Sequence, residues 1–279
     1  MKVDEKNASS NTDIVPGSVY LCRYENLTCG ACCGIYNFHF DSRKDFIEII
    51  TRRSLLFESV KRELDCVIKF GEKESEFISS LGKKPYPFFH HCPFVGFLDK
   101  NYKQTGCLLH PLAEKNNGVD FRGLSYYGGF ACASYFCPTY HDVSMERKLV
   151  TRAAIKDFFD YGLLITENEM INNLFDCIEE ITHKKTASED YTPEALSKLE
   201  SIFNLKKNWP FKKKEKFLAN YFFKDMGNDQ KQSPPIYENS KIYAILESFK
   251  VSISNEKDLL TAENFIFERI QDLCLSLQI

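Results

Sequence analysis

The chain reads as mainly α with a small irregular α+β part organised by metal: a cysteine-rich, loop-rich N-terminal half followed by a helical C-terminal half. Three observations predict this. Nine of the eleven cysteines, at 22, 29, 32, 33, 66, 92, 107, 132 and 137, fall in the first half of the 279 residues. Over 83–140, proline, glycine, aromatics and cysteine replace helical periodicity, as in a segment held by something other than a large apolar core. After Ser144, apolar residues return at helical spacing. A chain of this length favours two domains at roughly 150 residues each. They are expected at 19–143, cysteine-rich and metal-binding, and at 144–279, helical, after a disordered polar tail over 1–18.

The elements follow in order from local signals. Residues 35–40 are short and β-favouring enough to be a strand. Ser42 caps a helix, with Asp45 three residues on resembling a capping box and Phe46, Ile49 and Ile50 on the apolar face. Leu56, Val60, Leu64, Val67 and Ile68 continue the helical spacing to Gly71, a C-terminal stop. Beyond Ser144, helices are expected over 145–161, 167–182, 193–205, 211–224, 237–251 and 256–277. Pro193 stands in a first turn, and 227–235 reads as a linker. No repeat of fixed period is visible.

Composition narrows the function classes. Hydrophobic residues at 43% and charged residues at 27% exclude a largely disordered or collagen-like chain. A net charge of -3 offers no bulk attraction to nucleic acid, so no nucleic-acid partner is expected. The first twenty residues carry charges where a signal peptide needs an unbroken apolar core. The uncharged stretch 123–141 is long enough to span a bilayer, but its glycines, Pro138 and tyrosines describe a loop or site lining, so no membrane partner is expected. An odd cysteine total in a long chain argues against a disulfide scaffold. The expected location is cytoplasmic, with reduced thiols.

The strongest local signal is Cys29-Gly30-Ala31-Cys32-Cys33-Gly34. Two thiolates at C-x2-C spacing grip one ion, because the turn between them brings both sulfurs to one side. Gly30 and Ala31 are small enough to let backbone N–H groups approach those sulfurs. In extended backbone the adjacent Cys33 would point the opposite way, which suggests a second metal or a cluster. Further ligands are Cys92 in HHCPF, Cys107 in GCLLHP, and Cys132 and Cys137 in CASYFCP, giving seven thiols on loop-like segments. Cys22 or His110 would complete two four-ligand sites. The expected cofactor is an iron-sulfur cluster or iron, with zinc the alternative, because soft thiolates suit both.

These residues resemble a known family, the YkgJ-like cysteine-cluster proteins, described as zinc- or iron-chelating and related to flagellin lysine-N-methylase. The resemblance covers about 20–140 and rests on CGACC, the following YNFHFDSRKDFIEII, HHCPF and GCLLHP. It departs where the family has another cysteine three or four residues before its C-x2-C-C. Asn26 and Glu25 stand there, and Cys22 lies seven back. The resemblance implies thiol-bound zinc or iron and, through the methylase relative, an iron-sulfur oxidoreductase or methyltransferase. No G-x-G-x-x-G fingerprint or adenosylmethionine-binding pattern is visible. The other expectation is a non-enzymatic zinc-stabilised interaction module. The partner, an unidentified protein or small molecule, is not named by the sequence.

Other residues have plainer readings. Cys66, Cys177 and Cys274 lie on helical stripes and read as core packing. His39 and His183 read as solvated or hydrogen-bonded. His90 beside His91 and Cys92 could form a thiol nucleophile pair, but no third positioned group is visible. The basic aromatic run 206–216, with Trp209 and Phe211, reads as a solvated helix-helix junction that could touch phosphate or an acidic partner.

Overall fold

The computed structural model describes residues 15–210 and 235–279. The fold is mainly helical, with two small two-stranded antiparallel sheets among the described residues. Contacts divide the described chain into two units: one runs from Cys22 to Cys137, and the other joins the chain up to Leu21 with the chain from Pro138 onward.

The Cys22–Cys137 unit opens with a minimal hairpin, β1 (Arg23–Tyr24) and β2 (Leu27–Thr28), closed by the Cys29 N–H donating to the Cys22 carbonyl at 2.9 Å. The expected strand over 35–40 does not form. Ile35, Tyr36, Phe38 and Phe40 are all buried, so neighbouring side chains pack on both sides of the backbone. The Asn37 side chain takes the role a partner strand would have, donating to the carbonyls of Phe89 (2.8 Å), Tyr86 (3.0 Å) and His90 (3.2 Å) and accepting from the Tyr86 N–H (2.9 Å).

Ser42 caps α1 (Arg43–Glu58) by accepting from the Asp45 N–H at 3.1 Å, as the sequence indicates. The helix does not run on to Gly71. It ends at Glu58, and α2 (Leu64–Ser80) starts anew with Gly71 in its interior. Gly71 is there for packing: a Cβ would stand 2.5 Å from the tip of the Phe94 ring. Between these helices and the following loops lies a core of Phe57, Val67, Phe70, Cys92, Phe94, Leu108, Leu109 and Phe121.

Within the stretch expected to be loop, β3 (Val95–Phe97) pairs antiparallel with β4 (Thr105–Cys107), placing Val95 opposite Cys107. Ser54 on α1 docks this hairpin by accepting from the Phe97 N–H at 2.7 Å. Thr28 ties β2 to β4 by accepting from the Thr105 N–H at 2.6 Å. The short α3 (Gly128–Ser134) follows and buries no residue.

In the second unit, α4 (Pro138–Asp142) leads into α5 (Met145–Ala154) and α6 (Phe158–Leu164). The single helix expected over 145–161 is thus broken, because Ile155 turns to extended backbone and Asp157 starts a new helix by accepting from the Phe159 N–H at 3.0 Å. Then come α7 (Asn168–Thr182), α8 (Pro193–Phe203) capped by Thr192, and α9 (Leu205–Asn208). Past the undescribed residues, α10 (Tyr243–Ser248) is shorter than the helix expected over 237–251, and α11 (Glu256–Cys274) closes the unit. The helix expected over 211–224 and all of the 227–235 linker but Pro235 lie outside the described residues. Helix α7 packs against α5, α10 and α11, and α8 against α5 and α11.

Of the expected tail, residues 15–18 are described, with Pro16–Ser18 forming a short turn. Leu21 is clamped between two buried tyrosines: its N–H donates to the Tyr140 hydroxyl at 2.6 Å, and its carbonyl accepts from Tyr161 at 2.9 Å. The basic run is not a solvated junction over its described part. Lys206 is buried against Glu167 at 2.6 Å, Lys207 pairs with Asp160, and Trp209 packs against the rings of Phe249 and Phe265. No described helix is long and apolar enough to cross a membrane.

Candidate metal centre

All eight candidate ligands lie in the Cys22–Cys137 unit. Local turns place them. The β1–β2 hairpin returns the chain so that Cys22 and Cys29 are neighbours, and a 3-10 turn (Ala31–Cys33) carries Cys32 and Cys33. Gly34 ends that turn with a φ of +68°, and a Cβ there would stand 2.1 Å from the His90 carbonyl oxygen, so the turn lies directly against the HHCPF segment. The Cys92 N–H donates to the Cys33 carbonyl at 2.8 Å, and the β3–β4 register sets Cys107 opposite Val95, three residues on from Cys92.

The thiols fall into two neighbourhoods. Cys29 feels the charge of Cys22, Cys32 and Cys137. Cys33 feels Cys92 and Cys107, and Cys92 and Cys107 each feel Cys132. Electrostatic influence thus runs among Cys22, Cys29, Cys32 and Cys137 and among Cys33, Cys92, Cys107 and Cys132, with Cys32 and Cys33 acting on each other across the two sets. Cys32 and Cys33 do not point apart, because the 3-10 turn brings their sulfurs into hydrogen-bond contact. Cys22 stands with Cys29, and His110 follows Cys107 closely, its N–H donating to the Cys107 carbonyl at 3.1 Å. His110 accepts from the Leu112 N–H at 3.1 Å and feels Arg122 and Asp120.

Electrostatics show how these sulfurs are held. The thiol of Cys33 donates to Cys32, which lowers the Cys32 pKa and, with burial, raises that of Cys33 well above its ordinary value. Burial, with the charges of Cys22 and Cys32, raises Cys29 well above its ordinary value. Burial also raises Cys92 and pushes Cys107 up to about 12. Opposing that burial, backbone N–H groups reach the sulfurs: Ala31 to Cys29, Leu109 to Cys107, and both Phe94 and Tyr126 to Cys92. Three of these donors are two residues beyond the cysteine they serve, and such donors stabilise a thiolate and orient it as a ligand. The Arg122 guanidinium feels Cys107 and Cys132. Among the described residues, no three His, Cys, Asp or Glu side chains stand at the spacing of a metal site. The grouping is one of neighbourhood, and an ion would have to draw the four sulfurs of a group inward.

The flanking histidines have different roles. His91 spends both ring nitrogens on protein, so it is not a ligand. The buried His90 has no hydrogen-bond partner for Nδ1 among the described residues, stacks on Tyr126 at 4.9 Å and meets Tyr127 edge-on at 4.4 Å. Burial lowers its pKa to about 4, so it is neutral at ordinary pH. Cys177 is buried, while Cys66 and Cys274 are only half-buried and so are not the core thiols their stripes indicate. His39 lies 3.6 Å from Asp41, and His183 ends α7 with a φ of +53°.

Sequence reasoning missed the support beneath the thiols. Arg53 and Glu74 are buried partners at 3.3 Å, and Arg53 also donates to the Val95 carbonyl at 2.9 Å. A signal for both was present. Arg53 interrupts the apolar stripe Phe46, Ile50, Phe57 of α1, and Glu74 interrupts Val67, Phe70, Ile78 of α2. A charge on each of two apolar stripes is the pattern of a buried pair.

Comparison with protein-family models, with curated proteins and with solved structures finds no match.

Proposed function

We propose that the protein is a metal-binding protein that holds iron, as an iron-sulfur cluster or polynuclear iron, on the thiolates of Cys22, Cys29, Cys32, Cys33, Cys92, Cys107, Cys132 and Cys137. The observation that carries this reading is the gathering of eight thiols in one unit, where the Cys22–Cys29 and Cys33–Cys92 backbone bonds bring their segments together and backbone N–H groups are directed at the sulfurs of Cys29, Cys92 and Cys107. Eight thiols exceed one zinc site, and the contact between Cys32 and Cys33 is what two adjoining centres would need. The resemblance of CGACC, HHCPF and GCLLHP to the zinc- or iron-chelating family supports the same reading, and through its methylase relative supports a redox or methyl-transfer activity.

A second reading has its own observation. Four thiolates fill a tetrahedral ion, which suits two structural zinc ions stabilising a non-enzymatic interaction module. Anaerobic expression with iron, followed by metal analysis and visible spectroscopy, separates the two. Brown protein whose absorption bleaches on reduction supports iron-sulfur, and colourless protein with tightly held zinc supports the module. Iron and zinc both below about a tenth of an equivalent would overturn metal binding.

A further inference from the structure

The β1–β2 hairpin sets Cys22 and Cys29 across from each other. Its pairs are Tyr24 with Leu27 and Arg23 with Thr28, so the next pair outward is Cys22 with Cys29, and the 2.9 Å bond from the Cys29 N–H to the Cys22 carbonyl continues the ladder to it. Directly opposed residues of an antiparallel pair send their side chains to the same face, with Cα atoms about 5.5 Å apart where they are hydrogen-bonded. A disulfide spans Cα separations of about 4.4–6.8 Å. The register is fixed from both sides: Glu25, with a φ of +51°, and Asn26 make a two-residue turn, and Thr28 anchors β2 to β4 through the Thr105 N–H. Among the described residues no other two cysteines are opposed in a β pairing, since Cys107 faces Val95. After burial, the charge of Cys22 is the strongest influence raising the Cys29 thiol, as a neighbour on the same face should be. The C-x2-C spacing offers Cys32 as another partner for Cys29, but the Cys32 sulfur is already in contact with that of Cys33.

We propose that Cys22 and Cys29 form a thiol–disulfide redox couple, closing a disulfide across the hairpin by exchange with a small disulfide such as oxidised glutathione. One thiolate attacks a sulfur of the glutathione disulfide, forming a mixed disulfide and releasing one glutathione thiolate. The opposed thiolate then attacks the protein sulfur of that mixed disulfide and releases the second. Two electrons pass from the cysteines to glutathione, and its two thiolates take up the two protons. The second step prevails because the opposed thiol stands at the effective concentration of a tethered partner, on the order of millimolar or above. Both thiols are half-buried, so a small disulfide reaches them from solution. No metal takes part, and the inference does not rest on the metal-binding reading above.

The test uses the full chain, reduced and then equilibrated at increasing ratios of oxidised to reduced glutathione, with and without a chelator. Remaining thiols are alkylated, and peptide mass mapping without reductant finds which cysteines are joined. Trypsin cuts after Arg23, inside the loop that the link closes, so the disulfide joins two peptides. With chelator present, Cys22 and Cys29 should be joined to each other at a roughly tenfold lower ratio than any other pair. Cys22→Ser should move the oxidation of Cys29 up to the ratio at which the other thiols react, and Cys29→Ser should do the same to Cys22. Cys177→Ser should keep the link. Cys29 joined to Cys32 in the parent, an indiscriminate mixture of links, or Cys22 and Cys29 both alkylated at the highest ratio would overturn the inference. Metal content measured on the chelator-free samples judges the metal-binding reading separately.

Discussion

The guanidinium of Arg53 donates to Nε2 of His91 at 2.8 Å, and Nδ1 of the same imidazole donates to the Gly34 carbonyl at 2.7 Å. A carbonyl only accepts, so the ring is held as the neutral tautomer with its proton on Nδ1. Out of water and beside the arginine, its pKa lies well below the ordinary histidine value. The chain Glu74–Arg53–His91–Gly34 thus runs from two helices to the turn that carries Cys32 and Cys33.

Removing the middle of that chain should be expensive. Arg53→Leu leaves the Glu74 carboxylate buried, with only Arg52 at 2.8 Å beside it, and strands the His91 acceptor. A loss of about 3–5 kcal/mol is expected, as for breaking a buried ion pair. Urea unfolding of parent and variant measures it. A change under about 0.5 kcal/mol, the usual scale of surface substitutions, would contradict the buried network.

Gly34→Ala should separate the two cysteine segments. Its Cβ would stand 2.1 Å from a backbone oxygen, and φ is +68°. A cost of at least about 1–3 kcal/mol follows from the strained backbone alone, and metal content should fall with it. Gly123→Ala is the control, since nothing lies within 4 Å of its added Cβ. Thermal melts and metal analysis of both variants check the contrast.

Cys29→Ser and Cys32→Ser should disturb the Cys22–Cys137 unit far more than Cys177→Ser or Cys274→Ser disturbs the protein. Losing a ligand removes part of a binding energy on the order of 10 kcal/mol, whereas an ordinary thiol substitution usually costs about 0.5–3 kcal/mol. Equal metal content and equal melting temperature in all four variants would refute the ligand assignment.

The metal-free protein should lose stability in alkali. Cys107 has its pKa raised from 9.0 to about 12, so in that window the folded thiol keeps a proton that the unfolded one has released. The folded state then binds more protons, and stability falls as pH rises. The contribution is complete below pH 9.0 and disappears above about 12. Metal affinity should move the other way at neutral pH, rising with pH because each bound thiol gives up its proton. Urea midpoints of the metal-free protein at pH 8 and above, compared with Cys107→Ala, test the first statement. Competition with a chelator across neutral pH tests the second.

Interactions that close within a few residues were legible from the sequence alone. Ser42 and Thr192 accept from N–H groups three residues ahead, so their helix starts can be read locally. The soft-thiol segments are equally plain, because C-x2-C spacing and small neighbours act within one turn. Tertiary structure decided the rest through contacts between residues far apart in the chain. Which cysteines stand together depends on the Val95–Cys107 register and the Cys33–Cys92 backbone bond. Gly71 looks like a helix stop until Phe94 occupies the space its side chain would need. Residues 35–40 have strand chemistry, but Asn37 and packing on both sides of the backbone supply other partners. The lysines after Asn204 look solvated until Glu167 and Asp160 are folded against them. In each case the local preference is worth about a kilocalorie per mole or less, whereas burying a large side chain or pairing a buried charge is worth more, so the distant partner prevails.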